Sequence, residues 1–196
     1  MEDCMKKIVI VVGSAGADSF GRRLAEAYRQ EAEAAGASVS VVDVATLRFD
    51  PVLTGGLSGD QVLEPDLAAA QATLGAADHL VFVYPNWWGT YPARLKGFFD
   101  RVFLPGFAFQ YRKGGLPEKL LAGKTARLIV TLDGPGWWYR WAMGAGGDRA
   151  LRRSVLWFCG VKTRGIYHAD QLRPRASAPR DRHESAVRAL GRRDAR

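Results

Sequence analysis

The residues that most often do chemistry with their own side chains are few and scattered in this chain. Cys4 and Cys159 lie far apart and form no Cys-x-x-Cys pair. His79, His168 and His183 fall in no metal-ligand spacing. No Gly-x-Ser-x-Gly motif supplies an esterase nucleophile. Cys4 reads as an exposed terminal thiol, Cys159 as core packing, His79 as structural, and Asp100–Arg101 as a helix-surface pair. What does cluster is a different kind of material. Gly13–Ala25 is a turn of small residues, and two further segments each carry a Trp pair: Trp87–Trp88 beside Gly89, and Trp137–Trp138 after Asp133–Gly134. The turn is neither a Walker A loop nor a dinucleotide fingerprint. Asp18 stands where Walker A needs its second Gly, no Lys follows, and Gly-x-Gly-x-x-Gly is absent. It keeps the hydroxyls of Ser14 and Ser19 and a helix N-terminus, whose N–H groups and dipole favour a phosphate. The Trp segments offer flat apolar walls, one Trp of the first pair folding back on its helix, and the backbone N–H groups of Asn86–Gly89 suit a ring's polar edge. The ligand that fits all three is a phosphorylated planar heterocycle, and a flavin answers that description.

The elements that must position these loops alternate. Lys7–Val12 is a β-branched run stopping at Gly13, the pattern of a buried parallel strand. Ser19 caps a helix whose apolar positions Leu24, Tyr28, Ala32 and Ala35 are helically spaced and which Gly36 ends. Strands follow at Ser38–Val42, His79–Tyr84, Arg127–Thr131 and Lys162–His168. Helices are expected over Asp66–Ala77, Pro92–Phe103, Trp138–Phe158 (weakened by Gly144, Gly146 and Gly147) and, less strongly, Arg180–Gly191. Strand–helix alternation with right-handed crossovers predicts an α/β, flavodoxin-like, doubly wound parallel sheet of five strands in the order 2-1-3-4-5. A ligand then sits at the carboxyl ends of the strands. The expected division is a flavin-binding domain over residues 1–171 and an Arg-rich C-terminal tail over 172–196. The rings between Phe98 and Phe109 exceed what one small core needs and point to a subunit interface.

The chain has 196 residues, one domain's length, with a formal charge of +8 and six Trp. Basic plus aromatic is also a nucleic-acid signature. It dissolves on inspection: +6 of the charge lies in Lys162–Arg196 (ten basic and four acidic residues), while five of the Trp belong to the two loops. No nucleic-acid partner is expected. No stretch approaches the ~18–20 apolar residues of a membrane span. Glu2 and Asp3 precede the short apolar run, so no leader is expected, and a cytoplasmic protein with reduced thiols follows.

Tyr84–Phe109, with Ser19–Phe20, Asp43–Leu53 and Phe158–Gly160, resembles the NAD(P)H:quinone oxidoreductase family, which includes DT-diaphorase and the potassium-efflux ancillary reductases. The resemblance covers Lys7 to Tyr167. It implies that Ser14, Asp18, Ser19 and Phe20 line a flavin phosphate and ribityl site. It also implies that Pro85, Asn86, Trp87, Trp88 and Gly89 hold the isoalloxazine, and that Leu132, Asp133 and Gly134 touch its pyrimidine edge. Tyr139 matches a Tyr that assists charge relay in mammalian members. Its His partner there falls near Ala145–Gly147, where this chain has none, and the first-loop His common in the family is Ser14 here. The implied activity is two-electron, ping-pong hydride transfer from NAD(P)H through FMN or FAD to a quinone-like acceptor, in a homodimer. The short Thr54–Pro65 loop leaves little sequence to cover an adenosine and favours FMN. The alternative is a flavin-binding ancillary subunit of a membrane transporter.

Overall fold

The computed structural model describes residues 5–58, 61–112, 115–172 and 177–196; Cys4 lies outside them. Five parallel strands form the main sheet: β1 (Lys7–Val12), β2 (Ser38–Asp43), β3 (His79–Pro85), β6 (Thr125–Thr131) and β7 (Lys162–Ala169). Their order is β2-β1-β3-β6-β7, which is the expected 2-1-3-4-5 once the short antiparallel pair β4 (Phe109–Gln110) and β5 (Glu118–Lys119) is set aside. The register pairs Val12 with Asp43 and Val83, Pro85 with Thr131, and Thr131 with Ala169. The carboxyl ends therefore form one edge, from which the three loops leave.

Both faces are covered because the central strands are apolar along most of their length, His79 and Arg127 at their amino ends excepted. On one face α1 (Phe20–Ala34) and α6 (Ser177–Asp194) pack over Ile8, Ile10, Val81, Val83 and Ile129. On the other, α2 (Pro65–Ala76) and α3 (Ala93–Val102) cover Val9, Val11, Leu80 and Phe82.

Several expectations change here. The rings of Phe98, Phe99, Phe103 and Phe109 are all buried. Phe99 lies tilted 5.5 Å from Phe82 and edge to face 5.6 Å from Phe103, and Phe109 packs edge to face 5.0 Å from Phe158. The core does need them, so they are no subunit interface. Arg101 is fully buried rather than on a helix surface. Its guanidinium bonds Glu64 at 2.6 Å and the carbonyls of Asp50 and Val62, while Asp100 pairs outward with Lys96. The single helix expected over Trp138–Phe158 is broken. α4 (Gly136–Trp141) ends, the chain turns through Gly144 (φ 70°) and Ala145 (φ 47°), and α5 (Gly146–Arg149) runs into a π-helical segment, Ala150–Trp157.

The stretch expected as a tail is also more than a tail. Val187 of α6 is buried against the sheet, and Gly191 lets α6 approach α1 so closely that a Cβ would stand 2.5 Å from the Tyr28 carbonyl oxygen. The Asp194 carboxylate is buried on Arg127, with one Arg127–Asp194 hydrogen bond of 2.7 Å, and accepts from the Tyr28 hydroxyl at 2.9 Å. His79 Nε2 lies 3.5 Å from the same carboxylate, and its Nδ1 is 2.7 Å from Thr125 Oγ1. His79 is structural, and it belongs to a buried polar network at the amino end of the sheet. Cys159 is buried, as its sequence neighbours suggest, and burial pushes its thiol up to about 12.

Candidate functional site

The first loop leaves β1 at Gly13, whose N–H bonds the Val83 carbonyl at 2.8 Å. Ser19 caps α1, its Oγ accepting from the Arg22 N–H. Arg22 closes the loop from below. Its Nε donates to the Gly16 carbonyl at 2.8 Å, and its fork grips Asp43 at the end of β2. Ser14 is buried against Gly21, where a Cβ would meet Ser14 Oγ at 2.4 Å. The N–H groups of residues 14–18 donate to no partner among the described residues, and the first turn of α1 has no acid. This is an anion cradle of unspent N–H groups at a helix N-terminus. Asp18 is exposed on its lip, so its backbone rather than its carboxylate suits a phosphate. Phe20 is half-buried, with the guanidinium carbons of Arg23 and Arg180 at 5.6 and 5.4 Å from its ring.

The second loop is a two-residue hairpin turn. Trp87 and Thr90 exchange backbone hydrogen bonds of 2.8 and 3.0 Å across Trp88 (φ 55°) and Gly89 (φ 81°). Consecutive left-handed residues define a type I′ turn, which Gly accepts readily and Trp does not. Pro85 ends β3, and the Asn86 N–H is spent on the Thr131 carbonyl at 2.9 Å. Of the N–H groups expected to face a ligand, those of Asn86 and Trp87 are thus occupied, and those of Trp88 and Gly89 are not. Asn86 Oδ1 is buried without a partner. Neither ring folds back on α3: Trp87 is 49% exposed and Trp88 fully exposed. The positive φ at Trp88 aims the ring away from the domain.

The third loop carries Leu132, buried and tied by its N–H to Ala169 at 2.8 Å, then exposed Asp133 and Gly134. α4 is anchored where the Gly136 N–H donates to Asp170 at 2.7 Å. Trp137, Trp138 and Trp141 stay exposed, while Tyr139 is buried. The Tyr139 hydroxyl reaches the second loop, donating to the Gly89 carbonyl at 3.3 Å, and lies 3.4 Å from Asp148 Oδ1. The Asp148 N–H donates back to it at 3.4 Å. All three contacts are long, so the hydroxyl is placed without being consumed. Gly147 makes the junction possible. Its N–H bonds the Gly89 carbonyl at 3.0 Å, and a Cβ would stand 2.7 Å from Thr90 Cα.

Behind Tyr139 lies a group that spacing alone did not reveal. Asp148, buried, is hydrogen-bonded at 2.8 Å to His168 Nε2 on β7, and the His168 ring meets Tyr139 edge to face at 5.7 Å. His168 had read as one of three scattered histidines. Twenty residues separate it from Asp148, and only the adjacency of α5 to β7 joins them. Burial first, and the Asp148 charge second, push the Tyr139 hydroxyl up to about 12, so it remains a proton-bearing donor across the neutral range.

The residues brought together are Ser14, Ser19 and Phe20 from the first loop, Pro85 to Gly89 from the second, and Leu132, Asp133, Gly134 and Tyr139 from the third. They fit a flavin mononucleotide on three counts: unspent N–H groups for a phosphate, an unpartnered buried amide oxygen at Asn86, and exposed aromatic walls. Among the described residues no cluster could hold a metal ion, and no helix is long and apolar enough to cross a membrane.

A family model described as Flavodoxin-like fold matches residues 6–192, nearly the whole chain. The chain belongs to that flavodoxin-like family, within its branch of NAD(P)H:quinone oxidoreductases. It is 32% identical over 182 residues to ribosyldihydronicotinamide dehydrogenase [quinone] of Pongo abelii, with 80% of this chain and 78% of that protein covered. It is 29% identical over 196 residues to NAD(P)H dehydrogenase [quinone] 1 of Cavia porcellus, covering 84% and 70%. A solved FMN-dependent NADH-azoreductase from Bacillus anthracis, in complex with FMN, shares the fold at a TM-score of 0.76 and 15% identity, covering 98% of this chain and all of that one.

Proposed function

We propose that this chain is a flavin-dependent NAD(P)H oxidoreductase that reduces a quinone or similar acceptor. The observation that carries the reading is the meeting of three loops at one sheet edge. There an anion cradle, a Trp-bearing type I′ turn and a buried Tyr hydroxyl converge. The family relatives named as quinone dehydrogenases and the FMN-bound neighbour support it. FMN held there by these loops would supply two-electron hydride chemistry between NAD(P)H and the acceptor.

The chain's own residues bind and orient. N–H groups of Ser14 to Asp18, with Ser19 and the α1 dipole, hold the phosphate, and Phe20 flanks the ribityl chain. The N–H groups of Trp88 and Gly89, with those of Asp133 and Gly134, face the polar ring edge. Pro85, Asn86 and Trp87 form its floor, and Leu132 closes it from behind. Tyr139 holds a proton at its hydroxyl beside the Gly89 carbonyl. A preorganised donor there favours negative charge developing on a bound ring. Asp148 and His168 position it from behind, where the resemblance gives mammalian members a His near Ala145–Gly147.

A second copy of the chain belongs to the same reading. Trp88, Trp137 and Trp138 are each more than half exposed, a run of rings that a homodimer would cover. A cytoplasmic location accompanies it. The transporter-partner alternative drew on the Phe98–Phe109 rings, and these lie in the core.

Anaerobic stopped-flow mixing of the FMN-loaded protein with NADPH and with NADH tests the activity. Bleaching of the flavin band, followed by recovery on adding a benzoquinone, is expected. A flavin left oxidised by both coenzymes, or a protein that binds no flavin, overturns the reading.

A further inference from the structure

Beside the site, along the open edge of β7, runs a groove of about 460 Å³. Four arginines line it, each from a different element: Arg140 of α4, Arg149 of α5, Arg152 of the π-helical segment and Arg164 of β7. None of the four makes an ion pair with a carboxylate of the described residues. The one carboxylate in the lining, Asp148, is already engaged by His168 and Tyr139. The four side chains gather like charge along one groove; the Arg140 guanidinium carbon lies 5.9 Å from the Trp141 ring, and Arg164 also borders the depression beside Asp194.

Cations on an edge strand commonly guard against strand-to-strand aggregation. That accounts for Arg164, but not for arginines on three neighbouring elements. Guanidinium forks match phosphate oxygens two at a time, which a ring of lysines would not. Trp141, 79% exposed, adds a flat ring to the same lining. The groove therefore presents phosphate-binding forks beside a surface on which a base can stack.

Its position supplies the rest. One end is formed by Asp148 and His168, the pair that backs Tyr139. Arg164 lies four residues further down β7, roughly 13 Å at the parallel-strand rise. A ligand whose reactive ring lay at Tyr139 would have its far, anionic half among the arginines. We propose that this groove takes the 2′-phosphoadenosine half of NADPH, and so selects NADPH over NADH. The proposal rests on the reductase reading above and adds a coenzyme preference and the residues that set it.

The test has two arms. Isothermal titration of the FMN-loaded protein with adenosine 2′,5′-bisphosphate, 5′-AMP and inorganic phosphate reads the groove directly. The bisphosphate is expected to bind at least tenfold tighter than 5′-AMP, and Arg149→Ala with Arg164→Ala to remove that advantage. In stopped-flow, the same pair should lower the ratio of kcat/KM for NADPH over NADH at least tenfold. Far-UV circular dichroism and the flavin content of the variants keep misfolding distinct. Equal affinity for the bisphosphate and 5′-AMP, inorganic phosphate competing as well as the bisphosphate, or a parallel loss for both coenzymes overturns the proposal. Tighter binding of an oligonucleotide than of the bisphosphate would overturn it too, as the mark of a general polyanion surface. Should neither coenzyme bleach the flavin, the reductase reading fails, and the bisphosphate titration still judges the groove.

Discussion

Replacing Asp194 by Ala should be among the most damaging single changes in the molecule, although it lies near the far end of the last helix. The carboxylate is 1% exposed, and its partner Arg127 is 4% exposed. Removing it leaves a buried guanidinium without its counter-charge and the Tyr28 hydroxyl without its acceptor. Breaking one side of a buried ion pair costs about 3–5 kcal/mol. With a urea dependence of about 2 kcal/mol per molar, the unfolding midpoint should fall by ~1.5–2.5 M. Equilibrium urea unfolding followed by circular dichroism measures it. The pH dependence gives a second reading. Burial alone would raise the Asp194 carboxyl, but Arg127 outweighs burial and holds it well below the usual carboxylate range. A carboxyl depressed in the folded state contributes stability that is fully present above its unfolded value, ~3.9. That stability is lost as pH falls toward the folded value. The native protein should therefore weaken with acid below about pH 4 more steeply than Asp194→Ala does. The exposed Arg192–Glu31 pair on the same helices is the control, and Arg192→Ala should move the midpoint little. A midpoint shift for Asp194→Ala as small as the control's, or equal acid slopes, would refute the network's role. Flavin binding in the surviving folded fraction should be intact, because Arg127 and His79 lie toward the amino end of the sheet.

Four further outcomes follow from the site and the core. Gly147→Ala puts a methyl 2.7 Å from Thr90 Cα and 2.8 Å from the Gly89 carbonyl oxygen; overpacking of this kind costs about 1–3 kcal/mol, read as a lowered melting temperature and weaker FMN binding. Tyr139→Phe keeps the ring and removes the donor, so flavin content should hold while the rate of flavin reduction falls by up to ~10²-fold in stopped-flow. Trp88→Asn suits the left-handed turn better and removes an exposed ring; the monomer should be no less stable, and sedimentation should show a weaker dimer. In a Cys4→Ser background, Cys159 should ignore a thiol-reactive disulfide at pH 8 until the protein is unfolded, because burial holds its thiol up to about 12.

The layout of the fold was legible because its signals are local. Lys7–Val12 and His79–Tyr84 are continuous apolar runs with no alternation, which only a strand buried on both faces tolerates. Ser19 and Gly36 bracket α1 as cap and stop, and both do so in the structure. The site loops were legible for the same reason, since each follows a strand directly. What escaped depends on neighbours distant in sequence. His168 gains meaning only beside Asp148, and Arg101 looked solvated because Glu64, Asp50 and Val62 lie far up the chain. The phenylalanines between Phe98 and Phe109 seemed too many until Phe82 and Phe158 were seen among them. α6 looked weak because nearly half of its residues are charged, and buried His183, Val187 and Asp194 outweigh that surface.

Asp194 also orders events in time. Tyr28 and Arg127 are synthesised well before the carboxylate that satisfies them. At ~5–20 residues per second, the 166 residues separating Tyr28 from Asp194 take roughly 8–33 s to emerge. From the emergence of Arg127, 67 residues and roughly 3–13 s before Asp194, the nascent sheet can pair β1 with β2 and β3, yet the face meant for α6 stays open, with an uncompensated guanidinium in it. The native state is thus reached as a closing step after all five strands of the sheet are made. Until then, the half-covered sheet is the form of this protein most exposed to chaperones and to aggregation.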